Sequence, residues 1–303
     1  MQFRIAAYGE VRDEDGRLLL TRRRRAGRTA GPWHLPGGVI DHGEPPRTAA
    51  QRLVGAHTGF EVVVADPLEA VAVARRGTHT NAIIYPADPV GTEPVTDVDA
   101  VEWVEPARAA AEPHSPFVAA CLALPDDRLA GMVDKTPTEL RPTPPQKAKK
   151  GRRRRGQRFG AYGVVADAAG RILLARIADG YPGAGTWHLP GGGVDFGESP
   201  RAAVLREIYE ETGQDALVGR LLNVTSFRHR RAIGPEGYPL DWHGVRAIYS
   251  ATVADPSAAQ VVETAGGSTS ESAWFDVDDL DDLPLSAAVE DTLGVVDLKK
   301  LAA

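Results

Sequence analysis

The chain lacks most of the features that would tie it to a membrane, an extracellular compartment or a polyanion. Its 303 residues contain a single cysteine, Cys121. No intrachain disulfide can form, and a reducing cytoplasm is the expected compartment. No stretch approaches the roughly 18–20 apolar residues that a membrane helix needs, and the first eight residues, Met1 to Tyr8, form no apolar signal segment. Basic charge is not in excess either: 35 Lys and Arg stand against 41 Asp and Glu, a net charge of −6. A general nucleic-acid coat is thereby excluded, and any polyanion contact must rest on a local patch. What remains is ordinary for a soluble protein, with 43% hydrophobic and 25% charged residues, and the length suits two domains better than one.

The sequence repeats itself. Trp33-His34-Leu35-Pro36-Gly37-Gly38 recurs as Trp187-His188-Leu189-Pro190-Gly191-Gly192, and the shift from 33 to 187 is an offset of 154. The same offset pairs Tyr8 with Tyr162, Asp13 with Asp167, Arg22 with Arg176, Glu44 with Glu198, Arg52 with Arg206 and Gly59 with Gly213. A gap-free match of this length marks a tandem duplication. Past the paired glycines the copies differ in length. The next shared landmark is an aromatic strand, Val101–Val104 against residues 273–276, and the extra residues of the second copy are expected in Arg228–His243 and in Gly266–Ser270.

Three segments follow: residues 1–134, a linker at 135–157, and residues 158–303. The linker carries Pro137, Pro142, Pro144 and Pro145, then Lys147, Lys149, Lys150 and Arg152 to Arg155. Prolines extend a chain and like charges repel, so it reads as a solvated spacer. The alternative is a contact with RNA or another polyanion. Within the second copy, Tyr162–Ala166 and Arg171–Arg176 around an Asp-Ala-Ala-Gly turn read as a hairpin. A helix follows, with Pro200 in its first turn, Ser199 as a cap and Gly213 as a left-handed stop. Leu217–Thr225 and Val245–Val253 read as strands. Ala287–Leu293 reads as a final helix, matched by Pro116–Leu124 in the first copy. This order implies an α/β sandwich for each copy.

The informative stretch runs from Gly192 to Gln214: Gly, five residues, Glu198, seven residues, then Arg206-Glu207-Ile208-Tyr209-Glu210-Glu211-Thr212-Gly213. Glu207, Glu210 and Glu211 stand at i, i+3 and i+4 and share one helix face, with Ala202, Leu205 and Ile208 expected to pack on the sheet. Carboxylates crowded into one turn repel, and a bound cation explains that cost best. Oxygen-only donors favour Mg²⁺, with Mn²⁺ as the alternative, over zinc. A solvated acidic face would account for three glutamates, but not for the spaced Gly192, Glu198, Arg206 and Gly213.

This stretch resembles the Nudix box, Gly-x5-Glu-x7-Arg-Glu-U-x-Glu-Glu-x-Gly-U, at every fixed position except the last aliphatic one, which is Gln214. The resemblance implies two tandem Nudix-type α/β/α sandwich domains with mixed sheets, the second being a hydrolase of phosphorus-containing anhydrides. It implies that Glu207, Glu210 and Glu211 hold Mg²⁺, with the Gly191 carbonyl and Glu198 completing the site, and that Arg206 orients the carboxylates. The base would be Glu207 or a carboxylate on a later loop. Glu271 is the first candidate there, with Asp276 and Glu263 as further ones. Arg176 is expected to meet substrate phosphates, or else to be an exposed strand end. Arg228, Arg230, Arg231 and Trp242, in the insertion of the second copy, suit a nucleotide through phosphate contact and stacking, or belong to an ordinary loop.

The first copy keeps Gly38, Glu44, Arg52 and Gly59 but has Leu53, Ala56 and His57 where the second has its glutamates. It is expected to be catalytically inert, with His57 a surface residue, and either to pack on the second copy within the molecule or to bind a nucleotide without cleaving it; Arg22 to Arg25 would serve the latter. For the whole chain the expected substrate is a nucleoside diphosphate linked to another group. The rival readings are a nucleotide sensor without turnover and an RNA 5′-end pyrophosphohydrolase guided by the linker. The region past the box, Arg228-His229-Arg230, lacks the Pro that commonly marks ADP-ribose hydrolases of this family.

Overall fold

The computed structural model describes residues 1–22, 31–90, 101–132, 154–233, 239–262 and 267–296. Most of the Pro-rich basic linker, Arg23 to Arg25, Glu263 and Gly266 lie outside the described residues.

In the first copy the elements are β1 (Gln2–Val11), β2 (Leu18–Thr21), β3 (Gly37–Val39), α1 (Pro46–Thr58), β4 (Glu61–Val64), β5 (Glu69–Arg75), β6 (Thr78–Val90), β7 (Val101–Val104), α2 (Pro106–Ala111) and α3 (Pro116–Cys121). In the second they are β8 (Arg154–Asp167), β9 (Ile172–Ile177), β10 (Trp187–His188), β11 (Gly191–Gly193), α4 (Pro200–Thr212), β12 (Leu217–Ile233), β13 (Pro239–Val253), β14 (Thr269–Phe275), a 3₁₀ turn (Val277–Asp282) and α5 (Ala287–Leu293). Among the described residues, β3-β1-β6-β4 form a sheet with β5 also on β6, and β2 pairs with β7. The larger sheet runs β10-β9-β8-β13-β12, with β11 on β8 and β14 on β9. The first sheet is mixed, since β1 and β6 are parallel while β1 and β3 are antiparallel. Each copy thus has the α/β organisation expected of it.

Local chemistry explains why the duplicated segments fold alike. Asp13 Oδ1 accepts the amides of Asp15 and Arg17, and Asp167 Oδ1 accepts those of Ala169 and Arg171. These side chains mimic a backbone turn, and Gly16 and Gly170 take the left-handed position at φ 81° and 83°. The core repeats as well. Leu18, Leu20, Trp33 and Leu35 form one cluster with Ile84 and Val118, while Ile172, Leu174, Trp187 and Leu189 form another with Ile248 and Val289. The first four pairs keep the offset of 154, and Ile84 and Ile248 stand 164 apart. The ten extra residues therefore lie between Gly213 and His243.

Those extra residues do not form the loop that the sequence suggested. β12 continues to Ile233 and β13 begins at Pro239, so Arg228, Arg230, Arg231 and Trp242 are strand residues. Along the start of β13, Leu240, Asp241, His243, Gly244 and Val245 are buried, and that anchors the extension. Conversely, α3 stops at Cys121 rather than at Leu124, because Ala123 takes a left-handed φ of 53° ahead of Pro125. Cys121 is a free thiol held well above its usual pKa by burial and then by neighbouring Glu10, so it is protonated and unreactive. No described helix is long and apolar enough to cross a membrane.

The chain separates into two compact units that do not coincide with the sequence copies. Unit 1 comprises Met1–Phe159, Phe196–Ser199 and Thr225–Val245; unit 2 comprises Gly160–Asp195, Pro200–Val224 and Arg246–Ala303.

Candidate active site

In unit 2, α4 supplies the acidic cluster. Pro200 sits in its first turn, and Gly213, at φ 69°, ends it by donating its amide to Tyr209. The helix buries Ala202, Ala203, Val204, Ile208, Glu211 and Thr212. The expected face of Ala202, Leu205 and Ile208 is therefore rotated: Leu205 is only half-buried, and Val204 with Ile208 and Thr212, four residues apart, forms the inner line. The rotation carries Glu211 inward to 4% exposure and leaves Glu207 and Glu210 at the rim.

Each carboxylate has its own restraint. Arg206 Nη1 donates to Glu207 Oε1 at 2.7 Å and to Glu210 Oε2 at 2.9 Å, while its Nη2 reaches the Gly193 carbonyl at 3.1 Å. Glu211 accepts the Gly191 amide at 2.9 Å and the Thr269 hydroxyl at 2.6 Å. The Gly191 amide is thus engaged by the buried Glu211 carboxylate. Thr269 escaped the sequence reading, since a hydroxyl in a Gly- and Ser-rich run carries no motif; only its position just before the aromatic strand hinted at it.

Glu271 is not in a loop, as expected, but within β14, opposite Arg176 on β9. The strand begins earlier because pairing resumes past a bulge between Thr269 and Glu271. Arg176 donates to Glu271 at 3.2 Å and to the Gly185 carbonyl at 3.2 Å. Asp276 precedes the 3₁₀ turn as its N-cap. Gln214, the departure from the box, is buried and satisfied: its amide donates to the Thr212 carbonyl and Ser257 Oγ, and its oxygen accepts the Ser257 amide. A polar residue is tolerated there because every group finds a partner.

The remaining candidates lie in unit 1. Arg228 is committed to Asp241 by two bonds of 2.8 and 2.6 Å, and it holds that carboxyl well below the usual range. The Trp242 ring lies against Gly156, and Arg230 and Arg231 are exposed on β12. Glu198 is buried at 2% exposure beside Gly131, with which it forms a parallel bridge.

The first copy shows what the cluster requires. Leu53 and Ala56 offer Arg52 no carboxylate, and Arg52 turns to Glu44 with two bonds of 2.7 Å. His57 Nδ1 accepts the Gly37 amide at 3.3 Å, the same tie that Glu211 makes to Gly191, so the exposed His57 keeps the loop-to-helix bond without the charge.

Among the described residues no three acidic or histidine groups converge on a single point in this arrangement. Glu207 and Glu210 turn to Arg206, and Glu211 to Gly191 and Thr269. The donor chemistry nevertheless fits a hard divalent cation: three carboxylates in one turn with neither thiolate nor imidazole among them. The backbone makes room as well. A Cβ on Gly192 would lie 2.5 Å from Glu207 Oε1, whereas one on Gly38 would meet nothing within 4 Å. Gly192→Ala is therefore expected to displace the Glu207 carboxylate and lower kcat by about 10²-fold, with little change in melting temperature because a flexible side-chain end gives way. Gly38→Ala should be silent; equal effects in both variants would refute this account.

In unit 2, His188 is held down to about 4 by burial and then by Arg246; in unit 1, His243 is held down to about 4 by burial and then by His42 and Arg228. Both rings are neutral in the fold and take up protons near pH 6.5 once unfolded. Their stabilisation is thus complete above about pH 6.5 and is lost as pH falls toward 4, roughly 3 kcal/mol for each ring. Urea unfolding from pH 7.5 to 4.5 should show this slope, and His188→Gln should flatten part of it; an unchanged slope would remove His188 as a cause.

The NUDIX domain model matches residues 2–123 and 156–293. A MutT-like protein of Streptomyces ambofaciens is 45% identical over 67 residues, 21% of this chain and 41% of that protein. An RNA pyrophosphohydrolase of Acidiphilium cryptum is 56% identical over 50 residues, 16% of this chain and 30% of that protein. The chain thus spans less than half the length of these curated relatives. Among solved structures, a MutT NUDIX hydrolase from Burkholderia pseudomallei is 33% identical and aligns over 46% of this chain and 98% of its own, with a TM-score of 0.35.

Proposed function

The chain belongs to the NUDIX family, with two tandem copies of its domain, and from that premise we propose that the second copy is a divalent-metal-dependent pyrophosphohydrolase. Its substrate is a nucleoside diphosphate linked to another group. The observation that carries this reading is the restrained triad of Glu207, Glu210 and Glu211, present in one copy and absent from the other. Glu207, Glu210 and Glu211 would hold Mg²⁺ or Mn²⁺, with Glu198 assigned to the same set by its place in the box. The cation, when bound, neutralises diphosphate charge and makes water more acidic.

The chain's own residues do the rest. Arg206 fixes Glu207 and Glu210, and Arg176, on a strand end, meets the substrate phosphates. A carboxylate takes the proton of the water that attacks phosphorus, a contribution of roughly 10²–10⁴ in rate. Glu207 is held by the Arg206 guanidinium at 2.7 Å, whereas Glu271 is half-exposed and makes a longer 3.2 Å contact to Arg176. Glu271 is therefore the favoured base. Glu271→Gln is expected to lower kcat by about 10²-fold or more with an unchanged melting temperature; retained kcat would return the role to Glu207.

A panel of diphosphates with Mg²⁺ or Mn²⁺, with products identified by mass spectrometry, tests the whole reading. Two phosphate-bearing products from a nucleotide-linked diphosphate support it. Saturable nucleotide binding without product at high enzyme concentration would replace it with a sensor. A 5′-triphosphorylated RNA belongs in the panel, because RNA pyrophosphohydrolases are among the relatives and the linker is basic. Turnover of that RNA which falls steeply with salt, and which is lost when residues 146–153 are deleted so that β8 stays whole, would favour the RNA reading over the small-nucleotide one.

A further inference from the structure

Two histidines in unit 1 make the same bond from corresponding places. His79 on β6 and His243 on β13 stand 164 positions apart, as do the buried pairs Ile84 and Ile248, and Tyr85 and Tyr249. Gly197 donates its amide to His79 Nδ1 at 2.9 Å, and Gly43 donates its amide to His243 Nδ1 at 3.0 Å. Gly43 and Gly197 are themselves 154 apart, both at positive φ, 82° and 87°. Each copy's box loop is therefore tied by the histidine that the other copy's sequence supplies.

The surroundings differ at the same positions. His79 lies fully buried between Phe3, at 5.4 Å, and Phe196, at 5.7 Å. Since its Nδ1 accepts, its Nε2–H donates to Asn81 Oδ1 at 3.1 Å, which fixes tautomer and ring orientation. At the corresponding places around His243 stand Gln157 and His42, polar where the first set is aromatic. The Gly197 segment has a second anchor in the Ser199 amide, which donates to the Gly131 carbonyl at 2.8 Å. Between these two anchors lies Glu198.

We propose that His79 is a positioning residue for Glu198: a side chain from the inert first copy fixes the box segment on which the second copy's metal affinity depends. The proposal rests on the metal-site reading given above. It gives the first copy a role that needs no ligand of its own, and it explains why that copy holds a buried, tautomer-locked histidine though its own helix has Leu53, Ala56 and His57 in place of the three glutamates. Restraints on groups that orient metal ligands are typically worth 10–100-fold in affinity.

The test uses the full-length chain and Mn²⁺ binding followed by electron paramagnetic resonance, with melting temperature and kcat at saturating Mg²⁺ measured alongside. His79→Phe keeps a ring between Phe3 and Phe196 but removes the acceptor, and it is expected to weaken Mn²⁺ binding at least tenfold. His79→Asn loses the ring but keeps an acceptor near the Nδ1 position, and it should recover most of the affinity. His243→Phe breaks the matching bond to Gly43 and should lower the melting temperature while leaving Mn²⁺ affinity at the wild-type value. Unaltered Mn²⁺ binding in His79→Phe, or an equal loss in His243→Phe, would overturn the positioning role. Glu207→Gln separates the two layers of inference. If it weakens Mn²⁺ binding while the His79 variants do not, the proposal for His79 fails alone; if Mn²⁺ binding ignores Glu207 as well, the metal-site reading fails with it.

Discussion

Glu210→Gln is expected to reduce metal-dependent turnover by at least 10³-fold while leaving the melting temperature within a degree or two of wild type. The Glu210 carboxylate sits at the rim of α4 and accepts from Arg206, so glutamine keeps its shape and one acceptor and removes only the charge. A hard cation bound by carboxylates depends on that charge, and preorganised electrostatics are the largest single contribution in most enzyme sites. Glu211→Gln should be as severe for turnover but should also cost stability. Glu211 is buried and accepts two donors, the Gly191 amide and the Thr269 hydroxyl. An amide offers one oxygen to those two donors and turns its NH₂ toward one of them, leaving a buried donor unmatched at roughly 1–3 kcal/mol. The comparison is informative because a generic loss of folding would affect both variants alike. Retention of full activity in Glu210→Gln with Mg²⁺ in excess would remove the acidic triad from the mechanism.

How much of this arrangement the sequence discloses depends on the range of the interaction involved. The helix Pro200–Thr212 and its glycine stop are local, set by Pro, Gly and a 3.6-residue period, and they are legible. So are the Asp-centred turns and the recurring core, because each is written twice. The inner face of α4 is less so: Leu205 looks like a core residue by hydropathy, but Ala203 and Val204 are the ones that fit against the sheet. The extension of β12 and β13 through Arg228 and Trp242 is hidden by its charge, since a strand rich in Arg reads as a loop until Asp241 is known to stand beside Arg228. Thr269 and His79 are invisible for a different reason. Each acts through one long-range bond, to Glu211 and to Gly197, and a lone Thr or His has no period or spacing. The pairing of His79 with His243 was nevertheless available, through the Tyr85 and Tyr249 landmarks that realign the copies at an offset of 164.

Gly191→Ala, just ahead of the box, is expected to be strongly destabilising, and Gly37→Ala is its match in the first copy. Gly191 has φ 149° and Gly37 φ 148°, a conformation that L side chains rarely adopt and that costs on the order of 1–3 kcal/mol to impose. Space makes it worse. A Cβ on Gly191 would lie 2.5 Å from the Ala161 carbonyl and 2.6 Å from Tyr162 Cα; on Gly37 the corresponding distances, to Ala7 O and Tyr8 Cα, are 2.4 and 2.5 Å. These are backbone atoms of paired strands, β8 with β11 and β1 with β3, so they cannot step aside as the end of a side chain can. Backbone strain and overpacking together are expected to cost about 3 kcal/mol or more, which corresponds to a fall of roughly 6–12 °C in melting temperature for a domain of about 150 residues. Gly16→Ala supplies the calibration: its φ is also positive, at 81°, but nothing lies within 4 Å of the added Cβ, so it should show the conformational cost alone. The two large effects should then diverge in function. Gly191 donates the amide that holds Glu211, whereas Gly37 donates to His57, which lies in no acidic cluster. At a temperature where both variants are folded, Gly191→Ala should weaken Mn²⁺ binding and Gly37→Ala should not. Equal Mn²⁺ affinity in the two would show that the Gly191–Glu211 bond serves the fold alone.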